Sequence, residues 1–249
     1  MLDNTHMPTA RILSFLERPA VKALALAKDS WGRTAIDYAL RILRPDVCSI
    51  LLGRGSIPDA AVFEGAMSPL HFIAAQCFEE SLRQCGPGGL FAYGNRHGAS
   101  TMSDHFQAAL HLWHHFIDAG IAVDTPDKNG DPPLFVYLRY IGPFSPHRVL
   151  NSTVTTPPKD ADYELQPQQI ARFEALFANA NLKVRNMRGD TALHVVASPP
   201  NRQHDVAIFK FLVDKGLDPL AEDHSGRSSL DVASEAGKDA ILELFRKRN

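Results

Sequence analysis

The side chains in this chain best suited to chemistry are its histidines and cysteines, and their spacing argues against a reaction centre. His111, His114 and His115 fall on neighbouring turns of one helical stretch. Two of them sharing a face with His97 or His105 would offer imidazole nitrogens to zinc. Yet no HExxH pair occurs, and no acidic residue lies within the run. Counted back from the helix-ending Gly120, His111 and His114 take exposed slots, and Trp113, Phe116 and Ile117 take buried ones. Solvent-facing histidines, no metal and no cofactor are therefore expected.

A nucleophilic centre is no better supported. No GxSxG is present, and a serine or cysteine nucleophile needs a base nearby. Cys48 lies among Val47, Ile50 and Leu51, where a cysteine packs as a small apolar residue. Cys77 and Cys85 have no neighbouring feature that favours the thiolate. Gly86-Pro-Gly-Gly89 lacks the Lys-Ser/Thr of a phosphate loop. Ser145-Pro146 and Thr156-Pro157 are candidate proline-directed phosphorylation sites, each adding roughly -1.5 to -2 of charge if modified. The chain is read as not an enzyme.

Composition narrows the class further. The 249 residues are 45% hydrophobic and 22% charged, with a net charge of -2, ordinary globular values. Nothing marks a nucleic-acid or membrane-surface binder. Arg246-Lys-Arg248 reads as a solvated helix end. Three cysteines without CxxC suit a reduced compartment. No apolar run approaches the roughly 18 residues of a membrane span, and the N-terminus lacks a signal-peptide pattern. An intracellular protein of cytoplasm or nucleus is expected.

The elements that would position these side chains come from a repeat. Asp29-Ser-Trp-Gly32-Arg-Thr34-Ala-Ile-Asp37 recurs as Ser68-Pro-Leu70-His71, Asp127-Lys-Asn-Gly130-Asp-Pro132-Pro133-Leu134, Asn186-Met-Arg-Gly189-Asp-Thr191-Ala-Leu193-His194 and Asp223-His-Ser-Gly226-Arg-Ser228-Ser-Leu230. Later in each copy an apolar helix follows. Three of these end at Gly55, Gly120 and Gly216, one at Asn179, and one runs to Phe245. Ser or Thr suits the helix start because its oxygen accepts from an orphan N–H. Pro suits the next position, Leu70, Leu134, Leu193 and Leu230 should face a shared core, and small Ala39, Ala74, Ala197 and Ala233 let helices approach. The turn glycines sit where φ is positive.

This pattern resembles the Asp-x-x-Gly-x-Thr-Pro-Leu-His start and Leu-Leu-x-x-Gly end of ankyrin repeats, from about residue 12 to the C-terminus, in the diverged style of filamentous fungi. The resemblance implies an all-α ankyrin-repeat solenoid of stacked helix-turn-helix repeats with short β-turn fingers. Residues 1–28 form an N-terminal half-repeat or cap. About five repeats follow: 29–64, 65–126 with an insertion at 76–108, 127–185 with an insertion at 139–167, 186–222 and 223–249. Relative to a period of about 33, the insertions add about 31 residues in repeat two, 26 in repeat three and 4 in repeat four. The family's histidine slot, held by His71 and His194, implies imidazoles bonded within and between repeats.

The resemblance also implies a non-catalytic protein–protein interaction scaffold whose partner binds the concave face. Its contact slots correspond to Ser30, Trp31, Arg33 and Arg41 in repeat one. In repeat three they are Lys128, Asn129, Asp131, Arg139 and Tyr140. Repeat four supplies Met187, Arg188 and Asp190, and repeat five His224, Ser225 and Arg227. Trp31 is the foremost of these, since Trp and Arg dominate binding hot spots. The expected partner is a protein of unknown identity, with no nucleic acid and no membrane; the chain is expected to be monomeric unless it belongs to a larger assembly. The alternative is a recognition module of a larger multidomain enzyme or receptor.

Overall fold

The computed structural model describes residues 11, 14–15, 17–41, 45–56, 58, 67–76, 102–140, 165, 167–199 and 205–246. Its helices are α1 (Pro19–Leu24), α2 (Ala35–Arg41), α3 (Pro45–Leu52), α4 (Pro69–Gln76), α5 (Met102–Asp118), α6 (Pro133–Tyr140), α7 (Pro167–Phe177), α8 (Ala192–Ala197), α9 (Asp205–Asp214), α10 (Ser229–Glu235) and α11 (Asp239–Arg246). Among the described residues the only β pairing is an isolated antiparallel bridge between Glu222 and Ser228. The fold is all-α, of ankyrin-type helical hairpins joined by turn fingers.

Each inner helix starts in the same way where its register provides a side-chain oxygen followed three residues on by an acceptor. Thr34 donates its backbone N–H (2.7 Å) and hydroxyl (2.9 Å) to Asp37. Ser68 pairs in the same way with Nδ1 of His71, Thr191 with Nδ1 of His194, and Ser228 with Asp231. The reciprocal capping box satisfies donors that a helix start otherwise leaves orphaned. At repeat three Pro132 stands in the capping slot, and Pro133 begins α6, where a fixed φ needs no donor.

Two compact units make up the chain, Met1–Asn129 and Gly130–Asn249. In the first, α2 pairs with α3, α4 pairs with α5, and α3 lies against α5. Ile36, Leu40, Leu51, Leu70, Trp113 and Phe116 form its buried centre. In the second, α8 lies between α6 and α10 and pairs with α9, while α11 covers α10 and α9. The α7 helix joins through aromatics: Tyr137 meets Phe177 edge-on at 4.9 Å, and Phe173 meets Phe211 of α9 at 5.2 Å. Each buried aromatic of this kind contributes on the order of 2–3 kcal/mol through area removed from water.

Leu70, Leu134 and Leu193 are fully buried, as are the small Ala39, Ala74, Ala197 and Ala233. Leu230 is corrected to half-buried; α10 instead buries Val232, Ala233 and Ser229. Ile117 is also corrected. Assigned to the core, it is exposed, because the buried stripe of α5 runs through Phe106, Ala109, Leu112, Trp113 and Phe116. The bulk of both insertions, 77–101 and 141–164, lies outside the described residues, and with it fall Cys77, Cys85, Gly86–Gly89, His97, Ser145 and Thr156. Helix α5 begins at Met102, within the stretch 76–108 assigned to the insertion. Pro167, the last residue assigned to the second insertion, is the first residue of α7.

Candidate recognition surface at the finger tips

The first, fourth and fifth fingers are built by one device. In the first, Asp29 Oδ1 accepts from the N–H groups of Trp31 and Arg33, both at 2.9 Å, and its carbonyl accepts from Gly32. In the fourth, Asn186 Oδ1 accepts from Arg188 at 2.9 Å and Asp190 at 3.0 Å. In the fifth, Asp223 Oδ1 accepts from Ser225 at 2.7 Å and Arg227 at 3.0 Å. A short side chain that bonds its own turn is why Asp or Asn opens the motif. It also fixes the tip backbone before any partner arrives.

Neighbouring fingers in the second unit touch closely. A Cβ on Gly130 would sit 2.8 Å from the Met187 nitrogen, and one on Gly189 would sit 2.7 Å from the His224 nitrogen. Both glycines also have positive φ, 76° and 78°. The His224 N–H donates to the Arg188 carbonyl at 2.9 Å, and its Nδ1 lies 3.1 Å from the Met187 carbonyl. His194 bonds in both directions: Nδ1 accepts from Thr191, so Nε2 carries the proton and donates to the Arg227 carbonyl at 2.9 Å. His71 is buried with its Nδ1 on Ser68.

The tip side chains divide into two kinds. Trp31 is 71% exposed and Met187 68%; Ser30, Lys128, Asn129, Arg188, His224, Ser225 and Arg227 are exposed as well. The Arg33 guanidinium lies over the Trp31 ring at 4.3 Å and over the Tyr38 ring at 4.9 Å, and its Nε is 3.4 Å from Asp29. The Tyr38 hydroxyl donates to Asp29 at 2.5 Å. That bond, with the N–H groups and charge of the Arg33 region, holds the Asp29 carboxyl below its ordinary range despite burial. Burial pushes the Asp223 carboxyl up, but bonds from Arg227 and Ser225 outweigh it and leave it lowered. The Ser228 hydroxyl and N–H lower Asp231.

Asp131 and Asp190 require correction as exposed contact slots. Both are buried. Asn186 Nδ2 bridges them, donating to Asp131 at 2.8 Å and to Asp190 at 3.0 Å. Arg139 pairs with Asp131, and Arg188 pairs with Asp190. Arg41 and Tyr140 close α2 and α6; their side chains lie outside the described residues. The sequence reading missed Asp37 and Asp231 as occupants of the histidine slot. Their register after Thr34 and Ser228 was the available signal.

On α5, His111 and His114 are exposed, His115 is half-buried, and the rings of His111 and His115 lie 4.4 Å apart. No group of three or more His, Cys, Asp or Glu able to hold a metal occurs among the described residues. Cys48 is buried in α3.

The ankyrin-repeat family model matches residues 188–224, from the fourth finger through α8 and α9 to the fifth. The crystal structure of EF0377, an ankyrin repeat protein, is similar with a TM-score of 0.59 and 16% identity, over 97% of this chain and 92% of that one. No curated protein sequence matches the chain. Capped inner helices, stacked fingers and these likenesses define a fold of stacked helical repeats. Residues 188–224 match one ankyrin repeat, and the chain has the ankyrin-repeat fold.

Proposed function

We propose that this protein is a non-catalytic scaffold that captures a protein partner on its finger tips. The observation that carries the reading is the exposure of Trp31 on a turn whose backbone Asp29 already fixes. Trp, Met and Arg are enriched at protein interfaces. Trp31, Arg33 and Ser30 serve the first unit. Met187, Arg188, His224, Ser225 and Arg227 serve the second, and Lys128, Asn129 and Arg139 are further contacts. A preformed surface lowers the ordering cost of association. The recognition takes place inside the cell, with the chain as a monomer.

Trp31→Ala tests the reading. Its expected effect on stability is within about 0.5 kcal/mol, because the ring packs chiefly on Arg33. Its expected effect on capture of a partner from lysate is a loss of about tenfold or more. Unchanged capture, or a collapse of stability, contradicts the assignment of Trp31 as a contact.

A further inference from the structure

We infer that the fourth finger of the second unit receives an acidic segment of the partner, with carboxylates on Arg139, Arg185 and Arg188 and an apolar side chain on Met187. This rests on the reading of the tips as a protein-binding surface.

The formal charges of this region nearly balance, but they are not placed symmetrically. The Asp131 and Asp190 side chains are 3% and 11% exposed, whereas their partners Arg139 and Arg188 are 35% and 73% exposed. Each pair therefore points its anion inward and its cation outward. The anions are also occupied. Asp190 Oδ2 takes Nε and Nη2 of Arg188, both at 2.9 Å, and Asn186 Nδ2 at 3.0 Å. A guanidinium carries five donors in a planar fork, so after one carboxylate is satisfied, N–H groups remain for a second.

Arg185 adds a charge with no carboxylate on it among the described residues. Its Nη1 donates to the carbonyls of Gly189 at 2.9 Å and Glu222 at 2.6 Å, which hold an exposed side chain in place. Two buried carboxylates and one amide join Arg139 to Arg188, so the two guanidiniums belong to one connected network. Met187 directly follows the bridging Asn186 and leaves its thioether side chain in solvent. Cations held by bonds already made lose little rotamer freedom when a ligand arrives. Of the exposed acids nearby, Glu235 answers Arg227 at 3.2 Å, and Glu222, the last residue of the fourth repeat, meets Arg185 through its backbone carbonyl. The attraction for carboxylates thus falls on finger four.

The test is selection of phage-displayed random dodecapeptides on the full chain, followed by titration of synthetic copies against the parent, Trp31→Ala, Met187→Ala, and the charge reversal Arg185→Glu/Arg188→Glu. A thermal melt checks each variant, and Arg185→Gln/Arg188→Gln replaces the reversal if that variant fails to fold. Expected are peptides enriched in Asp and Glu around an apolar residue, bound about tenfold more weakly by the charge variant and more weakly by Met187→Ala. Peptides that depend on Met187 but show no acidic bias, or that ignore the charge variant, overturn this inference and leave the tip reading standing. So does a preference for phosphoserine over glutamate at the same peptide positions. Absence of any peptide sensitive to substitution at Trp31, Met187 or Arg188 overturns both.

Discussion

Gly189 lies directly beneath His224: a Cβ on the glycine would stand 2.6 Å from the histidine ring and 2.7 Å from its backbone nitrogen. Because φ at Gly189 is 78°, an alanine there meets both backbone strain and a backbone collision. Gly226 has a similar φ of 74°, but a Cβ on it meets nothing within 4 Å. Gly226→Ala is therefore expected to cost about 1 kcal/mol, and Gly189→Ala more than about 2 kcal/mol, since His224 must move as well. Urea denaturation of the two variants checks the order; equal losses would show that the fingers are not in contact.

His194 is buried and links two repeats through its two nitrogens. His194→Ala strands the Thr191 donors and the Arg227 carbonyl, with an expected loss of about 2–3 kcal/mol. His194→Asp should recover the capping box, as Asp231 does at the next repeat, without the link to Arg227. Its stability should fall between the parent and the alanine variant in the same denaturation assay.

The histidine slot shows what was legible in the sequence. The turn glycines, the helix-ending glycines and the core leucines of repeats two to four sit as their register requires, because each obeys a local steric rule. Asp37 and Asp231 were missed since the motif was read by residue name, whereas the helix start requires only an acceptor three residues on. The burial of Asp131 was not legible: its bond to Asn186 crosses 55 positions, and no local pattern encodes such a pairing. Lys238 was likewise invisible, since a lone lysine in a turn reads as solvated.

Lys238 is in fact buried. Its Nζ donates to the carbonyls of Val196 at 2.7 Å and Ser198 at 2.8 Å and pairs with the buried Asp205. The ammonium ties the end of α8, the start of α9 and the start of α11 together. Lys238→Ala leaves a buried carboxylate without its cation and is expected to cost about 3–5 kcal/mol. The double variant Lys238→Met/Asp205→Leu should be less damaging than the single change. Chemical denaturation followed by circular dichroism distinguishes the two.

Asp231 ties stability to acid. Its carboxyl is lowered in the fold by the Ser228 hydroxyl and N–H, so its contribution is complete above the ordinary carboxylate pKa of about 4. It is lost as pH falls through the lowered folded value. Asp231→Asn is expected to reduce stability at pH 7 and to flatten the loss of stability below about pH 4. Melting temperatures of parent and variant across that window check the sign; a parallel offset at every pH would contradict it.

The claim that fixed finger tips hold a protein partner is tested most directly by hydrogen exchange on the full chain, alone and bound to the protein it captures. Slowed exchange should centre on residues 30–33, 187–189 and 224–225, with α9 and α11 unchanged. Slowing confined to those outer helices, with the tips exchanging as before, would contradict it.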